Sequence, residues 1–226
     1  SAIAKQHGAT FVELYKSLAS DETFSPDADS AGRRALRIAL LGHLESGPGG
    51  QKIARLHFDA ARNMTDRLAA LTTLVHRFGD TADAVNALDS YEAKHGDDPL
   101  AMDKWFTVQA TTPNEAALDT VKRLTAHAAY AVNNPNRVRA LIGAYATANQ
   151  AGFNRADGAG YSYLAQTVLA IDPLNPRLAA RLATSLRAWR SLESVRRQHA
   201  RNALSLLAAS KQISVDLRDI VERTLG

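Results

Sequence analysis

The sequence has no cysteine among its 226 residues. Disulfide frameworks and thiolate zinc sites are therefore excluded, and nothing supports an oxidising export compartment. No apolar run reaches the roughly 18 residues of a membrane-spanning helix, and no basic segment followed by an apolar one opens the chain. We therefore expect a soluble, cytoplasmic protein without membrane contact. The first residue is Ser1 rather than Met, so we expect either processing or a longer parent chain.

Aromatic residues are also scarce, at 6%, although hydrophobic residues make up 46% of a chain rich in Ala, Leu and Arg. This is a helix-forming composition. No stretch shows the alternation of polar and apolar residues that is typical of a half-buried strand. The sequence predicts about twelve helices and no sheet, the first through Phe11 to Leu18 and a late one from Pro176 to Trp189.

Helix starts recur along the chain as a capping side chain, in three cases followed by proline at the first helical position. The predicted caps are Asn63, Asp98, Asn114, Asn134, Asn175 and Ser214. The proline starts at Pro99, Pro135 and Pro176 are 36 and 41 residues apart, near the ~40-residue period of HEAT and armadillo repeats. We predict a superhelical stack of antiparallel helix pairs, an α-solenoid, with a bundle of irregular pairs as the alternative.

We expect residues 1–226 to form one helical-repeat domain. The segment SGPGG at 46–50 cannot sustain a helix, so it is a possible weak subdivision. The stretch 134–176 is the most regular part. Apolar residues at helical spacing predict two helices that face one core. They are Val138, Leu141, Ile142 and Tyr145 in the first helix, and Tyr161, Leu164, Val168 and Ile171 in the second.

Between these two helices lies the glycine-rich segment FNRADGAG. Asp157 is expected to cap the second helix, with Gly158 and Gly160 allowing close packing before Tyr161. Backbone N–H groups at such a turn can also cradle an anion, but the preceding element is a helix and no lysine follows, so we favour the structural interpretation.

Catalytic motifs are absent. No two of the seven histidines have the i, i+4 spacing of a helical metal site, and HExxH, GxSxG and GxxxxGK[ST] do not occur. His199 lies on an apolar stripe and is expected to be a core or flanking residue. Nothing in the residues makes this chain an enzyme on its own.

Arg139 and Arg181 lie at the margins of the apolar stripes of their helices. Each can point along a groove and bind a carboxylate with its planar guanidinium group. The alternative is an ion pair within the domain, with an acid such as Asp157 or Asp172.

The chain has a net charge of +4, and its densest basic region runs from residue 177 to 201. This region holds seven arginines, Arg177, Arg181, Arg187, Arg190, Arg196, Arg197 and Arg201, against one acid, Glu193. A solvated face is the simplest interpretation, but a free-standing helical-repeat protein that binds nucleic acid through this basic face is the alternative function.

Several longer motifs resemble one family. They are DPLAMDKWFTVQAT at 98–111, NPNRVRALIGAYA at 134–146, and F-x-x-x-D-G-x-G-Y from Phe153 to Tyr161. Together with NMTDRLAAL at 63–71 and RRALRIALL at 33–41, and in this order, they resemble the C-terminal helical domain of bacterial aminopeptidase N, in the M1 family of zinc metallopeptidases.

The resemblance implies a multidomain parent that removes N-terminal amino acids from peptides. In that family HExxH and GxMEN lie in an upstream catalytic domain, so zinc is implied for the parent and no cofactor for this fragment. The helical domain caps the catalytic domain and walls the substrate cavity. The implied partners are thus that domain and short peptides, with Arg139 and Arg181 as cavity residues; nucleic acid is not expected.

Overall fold

All regular structure in the described part of the chain is helical. The computed structural model describes residues 2–20, 23–47 and 49–226, and no strand occurs in these ranges. The prediction of an all-helical chain is confirmed. The chain divides into two compact units, Ser1–Gly96 and Asp97–Gly226, and SGPGG lies inside the first of them.

The first unit consists of five helices. They are α1 (Ala2–Ser17), α2 (Ala28–Leu44), α3 (Gly50–Ala60), α4 (Met64–Phe78) and α5 (Ala82–His95). Neighbours along the chain pack on one another, α1 on α2, α3 on α4 and α4 on α5, and α2 also contacts α4. Helix α1 is longer than predicted, because it begins at Ala2 rather than near Phe11.

The second unit contains α-helices of 4 to 16 residues and two irregular helical segments. The α-helices are α6 (Pro99–Ala110), α7 (Ala117–Leu124), α8 (Pro135–Val138), α9 (Ala144–Ala148), α10 (Gln150–Phe153), α11 (Ala159–Ile171), α12 (Pro176–Ala183), α13 (Ser194–Ala209) and α14 (Val215–Leu225). A π-helical segment, Arg139–Gly143, joins α8 to α9, and a 3₁₀ segment, Thr184–Ser191, continues α12. The helix predicted from Pro176 to Trp189 therefore tightens to 3₁₀ after Ala183.

Helix capping explains most of the helix starts. Side-chain oxygens accept first-turn backbone N–H groups at 2.9 to 3.3 Å in five of the predicted caps, Asn63, Asp98, Asn134, Asn175 and Ser214. Pro99, Pro135 and Pro176 occupy the first turn as predicted. The cap at Asn114 is wrong, because α7 begins at Ala117 and its cap residue, Ala116, has no side chain that can accept a hydrogen bond.

The two apolar stripes of the stretch 134–176 form the core of the second unit. All eight residues named for them are at most 1% exposed, namely Val138, Leu141, Ile142, Tyr145, Tyr161, Leu164, Val168 and Ile171. Burying one such side chain stabilises the fold by about 1.5 to 3 kcal/mol. The periodicity therefore identified the buried faces correctly.

Asp172 joins the end of α11 to the start of α14. It is 2% exposed; its Oδ1 accepts the Ser214 hydroxyl at 2.5 Å and its Oδ2 accepts the Ser214 N–H at 2.7 Å. Asp172→Ala should lower the free energy of unfolding by about 3 kcal/mol, because both donors lose a charged acceptor. Urea unfolding of Asp172→Ala, Ser214→Ala and the double variant measures the loss. Additive losses would contradict the coupling that the two hydrogen bonds predict.

Candidate functional site

Arg139 is the first residue of the π-helical segment, and its side chain is exposed. Its Nε donates to the Pro135 carbonyl at 3.1 Å and its Nη2 donates to Asn136 Oδ1 at 2.6 Å. Both acceptors are neutral. Hydrogen bonds to the preceding turn of its own helix thus orient the side chain. Its positive charge has no carboxylate partner in the described part of the chain.

The π-helical segment has an identifiable contact on α6. The hydroxyl of Thr107 lies 3.0 Å from the Ala140 carbonyl oxygen and 2.9 Å from that of Asp103. A side chain that inserts into the i→i−4 ladder loosens it locally, and single π turns arise in this way. The contact spans 33 residues of sequence, so the local pattern around Arg139 did not reveal it.

The buried arginine of this region is Arg137, two residues earlier. It is 6% exposed, its Nη1 lies 2.9 Å from Asp103 Oδ1, and its guanidinium carbon lies 5.0 Å from the centre of the Phe106 ring. The approach to Asp103 is an ion pair without good hydrogen-bond alignment. The sequence analysis singled out Arg139 and missed Arg137. The partner of Arg137 is Asp103, which lies in the DPLAMDKWF motif.

Arg181 is exposed on α12, and its side chain has no hydrogen bond or ion pair with any residue that the structure describes. Its helix approaches the π-helical segment at Gly143. The position that a Cβ atom would take on Gly143 is 3.7 Å from the Arg139 Cβ and 3.7 Å from the Cδ2 of Leu182, the residue after Arg181. The structure therefore brings the elements that carry Arg139 and Arg181 into contact.

The two acids considered as partners for these arginines have other partners. The Asp157 carboxylate accepts the Arg155 Nε at 3.1 Å and the Arg155 Nη2 at 2.6 Å. The carboxylate of Asp172 binds Ser214. An exposed guanidinium group that pairs with no carboxylate of the described residues can bind an anionic group in bidentate geometry.

Gly158 and Gly160 are required by close backbone contacts in the turn before α11. Gly158 has φ +71°, and a Cβ atom there would lie 2.4 Å from the His199 Cγ. A Cβ atom on Gly160 would lie 2.2 Å from the Phe153 carbonyl oxygen. His199 fills the space beside Gly158, so this side of the turn packs on α13 and is not open to an anion.

Asp157 binds the start of α11 from one residue outside the expected position. The cap residue by backbone angles is Gly158, yet Asp157 Oδ1 accepts the Ala159 N–H at 3.0 Å. The turn is also fixed from inside. The Tyr161 hydroxyl donates to Asn154 Oδ1 at 2.8 Å, and Arg196 Nε donates to the Asn154 carbonyl at 2.6 Å.

An aromatic stack and one buried amide connect this turn to α9 and α6. The Tyr145 and Phe153 rings and the Phe153 and Tyr161 rings meet edge to face, at 5.7 and 5.2 Å. Asn149 is 2% exposed, and its Nδ2 donates to the carbonyls of Ala110 and Thr112 at 2.9 and 2.7 Å. Such contacts hold the end of α9 and the start of α11 in one arrangement.

The Arg155–Asp157 pair predicts a specific pH dependence. Hydrogen bonds from Arg155, and then from the Ala159 N–H, lower the pKa of Asp157 to about 2. Because the pKa is lower in the folded state, the stabilisation is complete above about pH 4 and is lost as the pH falls towards 2. The Tm difference between the unsubstituted chain and Asp157→Asn should be constant from pH 5 to 7 and shrink below pH 4. Arg155→Gln should reduce that dependence, because the Ala159 N–H then remains to lower the pKa. A difference that persists undiminished at pH 2 would contradict the account.

Part of the basic region 177–201 binds the protein's own backbone. Arg190 donates to the carbonyls of Thr224 and Leu225, and Arg197 donates twice to the Leu192 carbonyl. Arg196 binds Glu193 and the Asn154 carbonyl. Three of the seven arginines therefore complete turns and helix ends.

The described ranges contain no cluster of three or more His, Cys, Asp or Glu residues that could hold a metal ion. Nor is any helix within them long and apolar enough to cross a membrane.

Comparison with known proteins gives concordant results. A family model described as a domain of unknown function (DUF3458_C) with ARM repeats matches residues 1–226. The chain is 38% identical to aminopeptidase N of Caulobacter vibrioides over 99% of this chain and 26% of that protein. It is 35% identical to aminopeptidase N of Escherichia coli over 88% of this chain and 23% of that protein.

A solved structure is similar over the same extent. The crystal structure of Legionella pneumophila aminopeptidase A in complex with aspartic acid matches with a TM-score of 0.89 and 27% identity, over 99% of this chain and 27% of that one. The chain thus spans about a quarter of the length of each of these relatives.

Proposed function

Since the chain belongs to the DUF3458_C family of ARM-repeat domains, we propose that it is the non-catalytic C-terminal helical domain of an aminopeptidase N. In this proposal a longer polypeptide removes N-terminal amino acids from short peptides. The chain caps the catalytic domain of that polypeptide and forms part of the wall of its substrate cavity. That residues 1–226 act as one domain remains a prediction.

One observation most strongly supports the proposal that this chain forms part of the wall of the substrate cavity. Arg139 and Arg181 are both exposed, lie on elements that touch at Gly143, and have no carboxylate partner in the described chain. A peptide with a free C-terminus keeps its C-terminal carboxylate when it is shortened from the N-terminus, and a carboxylate suits a guanidinium group. We propose that these two arginines hold that carboxylate, while the groups that cleave the peptide bond come from elsewhere.

The catalytic metal belongs to the remainder of the polypeptide in this proposal. HExxH and GxMEN are absent from the sequence, and the described residues offer no metal-binding cluster that fits zinc. We expect the complete polypeptide to be cytoplasmic. The chain would supply only binding and steric restriction.

A direct test separates this domain from an enzyme. The 226-residue chain should not hydrolyse an aminoacyl reporter above the buffer blank, whereas the longer polypeptide that carries it should do so. Hydrolysis by the isolated chain, abolished by a metal chelator, would contradict the non-catalytic role.

We do not expect the chain to bind nucleic acid, because Arg190, Arg196 and Arg197 are engaged with backbone carbonyls. Titration with single- and double-stranded DNA at low and moderate salt tests this alternative. Tight binding that weakens steeply with salt would favour it, since counterion release governs such complexes.

A further inference from the structure

A basic cavity lies in the first unit, between the turn after α1, the start of α2 and the connection from α3 to α4. Its volume is about 80 Å³. The charged and titratable side chains in its wall are those of Arg33, Arg34, Arg37, Arg62, His57 and Asp66. A water molecule needs about 10 to 15 Å³ of such space, so the cavity can hold a group of several heavy atoms.

His57 offers a hydrogen-bond donor to this cavity. It is 3% exposed, and its Nδ1 lies 2.7 Å from the Tyr15 hydroxyl. Burial raises the pKa of Tyr15, and its protonated hydroxyl can donate to Nδ1. In that arrangement the imidazole proton is on Nε2. That nitrogen has no aligned hydrogen bond among the described residues, but it makes an ion-pair contact of 3.7 Å with Asp66 Oδ1, and His57 is the main cause that lowers the pKa of Asp66.

Two arginines present further donors at defined positions. The guanidinium group of Arg37 lies over the Tyr15 ring at 4.8 Å, and that of Arg34 lies over the Phe24 ring at 4.6 Å. Stacking on an aromatic face fixes the plane of a guanidinium group. The Arg37 Nε is buried and has no acceptor in the described part of the chain. A buried donor without an acceptor destabilises the fold, and a bound acceptor would remove that penalty.

Asp66 is the one carboxylate among the lining residues that the structure describes, and it has a structural task. Its Oδ2 accepts the Asn63 Nδ2 at 2.8 Å, and its N–H donates to the Asn63 Oδ1 at 2.9 Å, which closes the N-terminus of α4. The guanidinium groups of Arg34 and Arg37 line the same cavity, so an anion bound there would meet two positive charges.

We propose that this cavity binds a small oxyanion, a carboxylate or a phosphate, through the Nε2–H of His57 and the Nε–H of Arg37. Arg34 closes the rim with its stacked guanidinium group. None of these residues takes part in the proposed carboxylate site at Arg139 and Arg181. The proposal therefore does not depend on the proposed function.

Calorimetric titration of the 226-residue chain with inorganic phosphate and with malonate, at fixed ionic strength, tests this site. At least one of the two ions should bind saturably, and comparison of the two identifies the preferred oxyanion. Arg37→Gln should weaken binding about tenfold, as expected for loss of one charge-assisted hydrogen bond. Arg34→Gln, which removes only a charge at the rim, should weaken it less. Arg55→Gln is the matched control, because Arg55 is in the same unit but pairs with Asp59 on α3. It should bind like the unsubstituted chain.

A spectroscopic measurement separates a contact from a structural effect. In a chain labelled with ¹⁵N-histidine, the Nε2–H signal that His57→Gln removes should shift on titration and saturate with the calorimetric Kd. Three results would overturn the proposal: no saturable binding of either ion, equal weakening by Arg55→Gln, or a His57 signal that does not move while the ion binds.

Discussion

Replacing Gly158 with alanine is expected to destabilise the chain by about 2 to 5 kcal/mol. Two costs add at this position. A non-glycine residue in the left-handed region costs about 1 to 2 kcal/mol, and the new methyl group would lie 2.4 Å from the His199 Cγ. Forcing an extra methyl group into a packed site costs a further 1 to 3 kcal/mol or so.

Gly160→Ala tests the same turn through a different contact. Its Cβ atom would lie 2.2 Å from the Phe153 carbonyl oxygen, which belongs to the backbone and cannot rotate away. We expect a loss near the upper end of the cost of overpacking, about 3 kcal/mol.

Gly143→Ala is the control for both substitutions, because the new methyl group makes only ordinary contacts at 3.7 Å. Its effect should stay within about 1 kcal/mol and favour the folded state, since alanine is the better helix former. Urea unfolding monitored by circular dichroism measures all three. Equal effects of Gly143→Ala and Gly158→Ala would show that the turn is not held as the structure indicates.

Removing either candidate arginine should weaken peptide turnover by the longer polypeptide. Arg139→Gln and Arg181→Gln should each lower kcat/KM for a tripeptide about tenfold, because each removes a charge-assisted hydrogen bond to the substrate carboxylate. The effect should fall on KM, with kcat nearly unchanged, since a remote carboxylate is bound equally in the ground and transition states.

Arg201→Gln is the matched control for these variants. Arg201 is exposed on α13 and lies within the same basic region, but outside the contact at Gly143. It should leave kcat/KM unchanged. An unchanged kcat/KM in Arg181→Gln would end the proposed role of that residue.

The sequence predicted correctly the features that depend only on neighbouring residues, namely the buried helix faces and most helix caps. The periodic stripes at Val138 to Tyr145 and Tyr161 to Ile171 are buried as expected, because helical spacing alone determines which side chains share a face. Caps such as Asn134 and Asn175 are confirmed for the same reason, since a cap bonds only to residues two or three positions away.

Long-range contacts account for what the sequence did not reveal. The π-helical segment contains the carbonyl that Thr107 approaches from α6, and Gly158 is required because His199 on α13 lies against it. The burial of Arg137 follows from Asp103, more than thirty residues earlier. All these partners are more than two helical turns away in sequence, so the local sequence pattern cannot indicate them.

Two caps predicted from residue type alone, at Asn114 and Asp157, do not occupy the cap position in the structure. Asn114 is a good capping residue, yet α7 begins three residues later at Ala117. Asp157 binds the first N–H of α11 although Gly158 holds the cap position. In both turns the tertiary contacts of the connecting segment fix the backbone, and the side-chain preference is secondary.

The most direct test compares a tripeptide that has a free C-terminal carboxylate with the same tripeptide amidated at its C-terminus. The longer polypeptide should cleave the free acid with a kcat/KM at least about tenfold higher than the amide, since the amide cannot form the charge-assisted pair. In the Arg139→Gln/Arg181→Gln double variant the two values should become nearly equal, through a loss for the acid alone. A preference for the free acid that survives in the double variant would contradict the account.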